Sequence, residues 1–400
     1  MFSIFPIEGG VCAANGFFAD GISAGLKPNC EVDVAFIYST SMCEVECLFT
    51  KNNFYAAPIA HYKMQEEKLK DDFKTNFVLI NSKNANALTG DVGIMNIESI
   101  MSNLSKRFTE IKNPLMSSTG VIGVQLPVEK ICESLSKINL NSKNNDNAKH
   151  AIMTTDRYPK SIAFEVVLDD NRSFKIGAIC KGAGMINPSL ATMLCFITTD
   201  ALVPKNNLKE ILQKNAYMTF NAISVDGDTS TNDTIMLLSN GQSGIYDKEA
   251  FSFALYKIME YLSLEVVKDG EGATRVVAFE VLEAHSDDEA MVCAKALSNS
   301  LLVKTALFGC DPNWGRIAST IGASGVKCDA KRLQIFFDKV CVYKDGEIYF
   351  DRDNEEKAAK VLQKDSYKIT CKLGTGNGSF TAYGCDLGHE YVKINADYRS

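Results

Sequence analysis

Apolar and polar positions recur along this chain in two periods, interleaved from end to end. Ile97, Ile100, Met101, Leu104, Phe108 and Ile111 repeat at helical spacing, as do Leu208, Ile211, Leu212, Ala216 and Phe220. Ile162 to Leu168 and Phe174 to Cys180 read as strands, with the polar stretch 169–172 as the hairpin turn between them. Thr274 to Leu282 reads as a β-branched strand and Asp287 to Leu302 as a helix. Beyond residue 333 the pattern turns to strands, in LQIFF, VCVY, EIYF, YKITCKL, SFTAYGC and EYVKINA. This mixture predicts an α/β or α+β fold of sheets packed with helices, and the hairpins argue against a purely parallel sheet. No repeat of fixed period is visible. The polar run NLNSKNNDN (139–147) is the best candidate for a loop or linker.

Composition narrows the class. At 400 residues, 46% hydrophobic and 23% charged, the chain can bury one large core or two ordinary ones, and it is not a disordered chain. Its net charge of -7 comes without a basic block, so neither a nucleic-acid partner nor an anionic membrane is expected. The cysteines number 13, and the closest two, Cys43 and Cys47, lack CxxC spacing. Several, such as Cys180 and Cys195, sit in apolar runs, the pattern of buried free thiols in a reducing cytosol. His61, His150, His285 and His389 lie far apart and form no metal motif, so no metal is expected. MFSIFPIEGG lacks a positive n-region and a long apolar stretch. The uncharged run 182–199 is interrupted by Asn187 and Pro188, so no membrane span is expected and a cytoplasmic location follows.

Several segments rich in Gly, Asn, Ser and Thr lie between apolar runs. They are NSKNANALTGDVG (81–93), SSTGVIG (117–123), KGAGMINPSLATML (181–194), SVDGDTSTNDT (224–234), DGEGATR (269–275), DPNWGR (311–316) and INADYRS (394–400). Each alone reads as an ordinary turn. The phosphate-loop pattern and the GxSxG elbow are missing, and GTGNGS (374–379) precedes a strand rather than a helix. No histidine lies near any of the Ser/Thr-rich loops in sequence. A hydroxyl nucleophile without a histidine can use its own α-amine as base if it begins a chain. Thr192 follows the small Ala191 at the junction of a Gly/Pro/Asn loop and an apolar run. From spacing alone, a core threonine in a buried strand remains the better reading.

KGAGMINPSLATMLCFITTDA resembles the signature of the glutamate N-acetyltransferase/ornithine acetyltransferase family, the arginine biosynthesis bifunctional proteins. So do GVCAANGFFADGISAGLKP, NSKNANALTG, SSTGVIG, SVDGDTSTNDT, DGEGATR, DPNWGR and NADYRS, in family order from about residue 9 to residue 400. The resemblance implies an N-terminal-nucleophile-like acetyltransferase fold. It implies a precursor that cuts itself between Ala191 and Thr192 into an α chain (1–191) and a β chain (192–400), which pair as an α2β2 heterotetramer. It makes Thr192 the nucleophile that carries acetyl from N2-acetyl-L-ornithine to L-glutamate, with Thr119 and Gly120 as the oxyanion hole. Thr155, Lys181, Glu271, Asn395 and Ser400 match substrate-binding positions, together with Thr192. Lys181 suits a carboxylate and Glu271 an amine. No cofactor is implied; acetyl-CoA is a second donor in some members, and the bifunctional reading is preferred.

The chain departs from the family pattern at Ser400, where threonine is common, and at Lys83 and Leu88, where small residues are usual. Trp314 reads as structural, since Asp-Pro-Asn builds a turn and Trp anchors packing. Two rivals stay open: an N-terminal-nucleophile hydrolase, in which water takes the acyl group, and an inactive binding relative.

Overall fold

A computed structural model describes residues 1–187 and 193–397, which fall into two compact units. The first holds residues 1–182, 193–221 and 229–262; the second holds 183–187, 222–228 and 263–397. Residues 1–191 and 192–400 each contribute to both units.

In the first unit, among the described residues, nine strands form one mixed sheet. They are β1 (Phe2–Pro6), β2 (Phe17–Ile22), β3 (Val34–Phe49), β4 (Lys74–Asn81), β5 (Leu115–Ser118), β6 (Lys160–Leu168), β7 (Ser173–Lys181), β8 (Leu194–Thr199) and β9 (Thr234–Ser239). Their order is β1-β6-β7-β8-β9-β3-β4-β5, with β2 on β3. Helices α1 (Ala57–Leu69), α2 (Gly90–Arg107), α3 (Val128–Ser134), α4 (Asn145–Ala151) and α5 (Lys205–Met218) also belong to this unit. The division falls within α6 (Lys248–Lys268).

The sheet is covered on both faces, which explains the unbroken apolar run from Phe77 to Ile80 in β4. Val34, Phe36, Phe77 and Leu79 pack with Ile97, Ile100 and Leu104 of α2 and Ile131 of α3. The alternate residues Ala35, Ile37, Val78 and Ile80 pack with Ala148 and Ala151 of α4, Phe196 and Met236. Successive side chains of a strand point to opposite faces, so one stretch serves both cores. β7 and β8 are antiparallel, with Lys181 opposite Leu194. β8 and β9 are parallel, with Leu194 opposite Thr234. The free thiols Cys180 and Cys195 are buried register partners in this region.

In the second unit six strands form a sheet among the described residues: β10 (Val276–Ala284), β11 (Gln334–Phe337), β12 (Val340–Lys344), β13 (Glu347–Ile348), β14 (Ser366–Lys372) and β15 (Gly378–Cys385). The order is β13-β12-β11-β14-β10-β15, with β10 and β14 parallel. Helices α7 (Asp287–Asn299), α8 (Leu301–Phe308), α9 (Trp314–Ala323) and α10 (Arg352–Leu362) contribute to its core. Residues Ala290, Cys293, Ala294 and Leu297 of α7 meet Val277, Phe279 and Val281 of β10 there. The last element is α11 (His389–Ala396).

Several expectations change. EYVKINA is helix α11, not a strand. Its apolar residues Tyr391, Val392 and Ile394 fit neither period cleanly, and the helix places Tyr391 and Asn395 on one face. The helix expected over Asp287–Leu302 breaks at Ser300, whose extended backbone and hydroxyl, accepting from Val303 N, start α8. Helix α10, capped by Asp351, interrupts the strands expected after residue 333. α2 ends at Arg107, so Phe108 and Ile111 lie past it, although Ile111 still enters the core. The run 139–147 lies within the first unit rather than linking two: it is a loop to Asn144, which accepts from Asn147 N to cap α4, and its last three residues open that helix. Among the described residues no single helix is long and apolar enough to cross a membrane; only the bent pair α7 and α8 together reaches that length and composition.

Candidate active site

The asparagines of NSKNANALTG hold an irregular backbone by side-chain hydrogen bonds, which buried polar main chain requires. Asn81, at the end of β4, donates to the carbonyls of Ser82 (3.1 Å) and Asn84 (2.8 Å) and accepts from the Ser118 hydroxyl (2.7 Å). Asn84 donates to the carbonyls of Val124 (3.1 Å) and Gln125 (3.0 Å). Lys83 and Leu88 adopt positive φ (69° and 55°) with exposed side chains. A small residue suits such a backbone better, and solvent exposure makes the larger ones tolerable.

This loop lies against SSTGVIG. Gly120 has φ +134°, and a Cβ there would meet the Lys83 carbonyl carbon at 2.1 Å and Asn84 N at 2.4 Å. Backbone cannot swing aside as a side-chain tip can, so the close approach requires glycine. Thr119 is buried, and its N–H donates to Asn81 O at 3.0 Å. That leaves its hydroxyl, rather than its amide, as the group it can turn toward a ligand. The hydroxyl accepts from Lys181 Nζ at 3.4 Å, so its own proton is free to point elsewhere.

Lys181 ends β7 and is buried. The next residue, Gly182, donates its N–H to Asp156 Oδ1 at 2.7 Å. The same oxygen accepts from Lys160 Nζ at 2.8 Å, and both side chains of this pair are wholly buried. Burial works against the Asp156 carboxylate, but the charges of Lys181 and Lys160 and the bonds from Lys160 and Gly182 N prevail and hold its pKa at about 2. Thr155, the residue before it, is half-buried. On β9's side, Asn232 donates to the carbonyls of Ala85 (2.6 Å) and Ser118 (2.8 Å), tying the chain before β9 to both loops. Asp233 is buried, and its Oδ2 meets no hydrogen-bond partner among the described residues. Burial pushes its carboxyl well above the usual range despite hydrogen bonds to Ser230 and Thr50 and the charge of Lys181.

The second unit holds another polar cluster. Asn395 of α11 donates to Glu271 Oε2 at 2.7 Å, and Glu271 is buried. Its N–H donates to Ala183 O at 2.9 Å. A Cβ on Gly184 would lie 2.4 Å from the Glu271 carboxyl carbon, so the carboxylate rests directly on this glycine.

The first unit therefore brings together Thr119, Gly120 and Lys181, and the second brings together Glu271 and Asn395. Ala191, Thr192 and Ser400 lie outside the described residues. The model of the ArgJ family matches residues 18–400 of this sequence. The chain belongs to the ArgJ family. It is 60% identical to the arginine biosynthesis bifunctional protein ArgJ of Wolinella succinogenes over 400 residues, covering 100% of both chains. It is 41% identical to the glutamate N-acetyltransferase of Methanocaldococcus jannaschii, covering 98% of this chain and 99% of the other. Among solved structures, the arginine biosynthesis bifunctional protein argJ of Bacillus halodurans is 40% identical with a TM-score of 0.49, covering 51% of this chain and 99% of that one.

Within this ArgJ-family chain, Trp314 is structural: it stacks on Tyr343 at 5.2 Å and packs against the second core, while Asn313 caps α9 by accepting from Arg316 N. Residue-by-residue reading of the sequence passed over Asp156, Lys160, Asn232, Asp233 and Asp226. The last of these lies in the second unit and accepts the N–H groups of Met185 and Ile186. Asp226, Asn232 and Asp233 lie inside SVDGDTSTNDT, whose richness in small polar residues between apolar runs was the available signal. Asp156 and Lys160 were legible only as an (i, i+4) pair beside Thr155.

Proposed function

We propose that this acetyltransferase of arginine biosynthesis moves acetyl from N2-acetyl-L-ornithine to L-glutamate through an acetyl ester on Thr192. The chain first cuts itself between Ala191 and Thr192, freeing the Thr192 amine as base. Thr192 Oγ then attacks the acetyl carbonyl, and its proton passes by the α-amine to the departing ornithine nitrogen as the amide C–N bond breaks. The glutamate amine attacks the ester, and the Oγ–C bond breaks to restore the hydroxyl. The Thr119 hydroxyl and Gly120 receive the oxyanion, at about 10²–10³ in rate for a lost donor. Lys181 takes a substrate carboxylate and Glu271 an ammonium, with Thr155, Asn395 and Ser400 completing the binding groups.

The observation that carries this reading is the junction of two motif segments, SSTGVIG and KGAGMINPSLATML, in one unit. Lys181 stands opposite Leu194, two residues beyond Thr192, and its ammonium reaches the Thr119 hydroxyl. The pairing of β8 with both β7 and β9 also supports products that stay together, since a cut before Leu194 spares those ladders. We read the assembled enzyme as a cytoplasmic α2β2 heterotetramer that also accepts acetyl-CoA as donor; buried free thiols fit a reducing compartment.

Intact masses of the wild type and of Thr192→Ala test the nucleophile: two fragments are expected from the first and one 400-residue chain from the second. Ornithine release that requires glutamate identifies the transferase. Equal release without glutamate makes the protein a hydrolase instead.

A further inference from the structure

The segment 183–187 leads in sequence toward the Ala191–Thr192 bond, and hydrogen bonds within the second unit hold its main chain at Ala183, Met185 and Ile186. Met185 N and Ile186 N donate to Asp226 Oδ2 (2.6 Å) and Oδ1 (2.8 Å). Ile186 O accepts from Val225 N (2.7 Å) and the Ser224 hydroxyl (3.0 Å), and Asn187 Nδ2 donates to Gly227 O (2.9 Å). Met185 has φ +56°, a left-handed backbone that an ordinary side chain rarely takes, and its own side chain is exposed. Met185 has therefore no buried anchor for that conformation. The Asp226 carboxylate, receiving two consecutive N–H groups, supplies one. Tyr391 of α11 braces the same carboxylate, its hydroxyl 3.3 Å from Oδ2.

We propose that Asp226 is a positioning residue for self-cleavage, holding the Met185–Ile186 turn in the left-handed form from which the chain runs to the scissile bond. The inference rests on the self-cleavage reading above. In that step Thr192 Oγ bonds to the Ala191 carbonyl carbon, the C–N bond breaks, and the Oγ proton goes to the departing Thr192 nitrogen. Water then hydrolyses the ester, leaving a carboxylate on Ala191 and restoring the hydroxyl. Asp226 exchanges no proton and touches no reacting atom in this scheme. It limits the conformers from which Oγ can attack, and orientation of this kind governs the rate of an intramolecular attack.

The test follows cleavage of the full chain by intact mass after cell-free synthesis, with thermal melts as a check on folding. Asp226→Asn should slow cleavage about tenfold or more, because the amide NH2 that replaces one carboxylate oxygen cannot accept from the N–H it then faces. Adding Met185→Gly to that variant should recover much of the rate, since glycine takes φ +56° unaided. A merely destabilised fold would gain nothing from the added glycine. If Asp226→Asn does not fold, Met185→Val decides: a β-branched residue at this exposed position opposes the left-handed backbone and should slow cleavage. Wild-type rates in Asp226→Asn, or in Met185→Val, overturn the proposal and leave self-cleavage standing. A wild-type chain that stays whole removes the self-cleavage reading and this proposal together.

Discussion

The Lys181 ammonium donates to the Thr119 hydroxyl at 3.4 Å, while the Thr119 N–H is already committed to Asn81 O at 3.0 Å. The side chain, not the amide, is therefore the group at this position that can turn to a ligand. Thr119→Ser should keep kcat within a few-fold. Thr119→Val, which preserves shape and removes the hydroxyl, should lower kcat for acetyl transfer about 10²–10³-fold with little change in KM. Steady-state kinetics on both variants check this. Equal kcat in Thr119→Val and wild type would remove Thr119 from the oxyanion site.

Asp156 links this site to acid stability. Its pKa is held at about 2, below the unfolded value of 3.8, so it contributes stability above about pH 4 that is lost as the pH falls toward 2. The shift is worth about 2 kcal/mol. Asp156→Asn takes the carboxylate charge from beside the buried Lys160 ammonium, a loss of about 3–5 kcal/mol at neutral pH. Urea unfolding of the two proteins from pH 7 to pH 3 should show the gap between them narrowing below pH 4, because the carboxyl of the unfolded wild type binds a proton there while the folded one stays ionised. A gap that is constant with pH would mean that Asp156 is not depressed in the folded state.

Asn232 crosses between segments far apart in sequence. Its amide donates to Ala85 O at 2.6 Å and to Ser118 O at 2.8 Å, beside Thr119. Asn232→Ala strands both carbonyls and should cost roughly 2–4 kcal/mol in urea unfolding. Because Ser118 precedes Thr119, kcat should fall as well, and Asn232→Asp, which cannot donate, should do no better. Full activity in a folded Asn232→Ala enzyme would show that the loop keeps its place without this tie.

Much of this was legible in the sequence, and the limits are physical. The β6–β7 hairpin was readable because both strands carry β-branched and aromatic residues on either side of a polar turn, and the pairing runs from Lys160 with Cys180 to Val167 with Ser173. EYVKINA misled because its apolar residues Tyr391, Val392 and Ile394 fit neither period cleanly, and α11 buries none of them to decide it. α10 was missed for the converse reason: its core contact rests on Ala358, Val361 and Leu362, a narrow stripe in a charged stretch. At the site, the motif residues Thr119 and Lys181 meet at 3.4 Å, whereas the supporting side chains did not stand out. Asp156 and Asn232 act on backbone groups and on charges brought near by folding, and the local signals, an (i, i+4) pair and a polar-rich segment, do not tell which groups those are.

The Glu271 carboxylate rests on Gly184 and is held there by the Asn395 amide at 2.7 Å. Glycine is needed at 184 for space, since a Cβ would fall within 2.5 Å of both carboxylate oxygens. The carboxylate is the tip of a flexible side chain, so Gly184→Ala should leave the fold intact while pushing Glu271 off its position. If Glu271 binds the ornithine ammonium, that displacement and Glu271→Gln should act alike. Each removes a charge-assisted contact of roughly 1.5–3 kcal/mol, or about 10–100-fold in kcat/KM for N2-acetyl-L-ornithine. Asn395→Ala frees the carboxylate without removing its charge and should have a smaller effect of the same sign. Kinetics on the three variants, with melting temperatures alongside, make the comparison. An unchanged kcat/KM in Glu271→Gln would assign the ammonium to another group and leave Glu271 as a structural partner of Ala183 and Asn395.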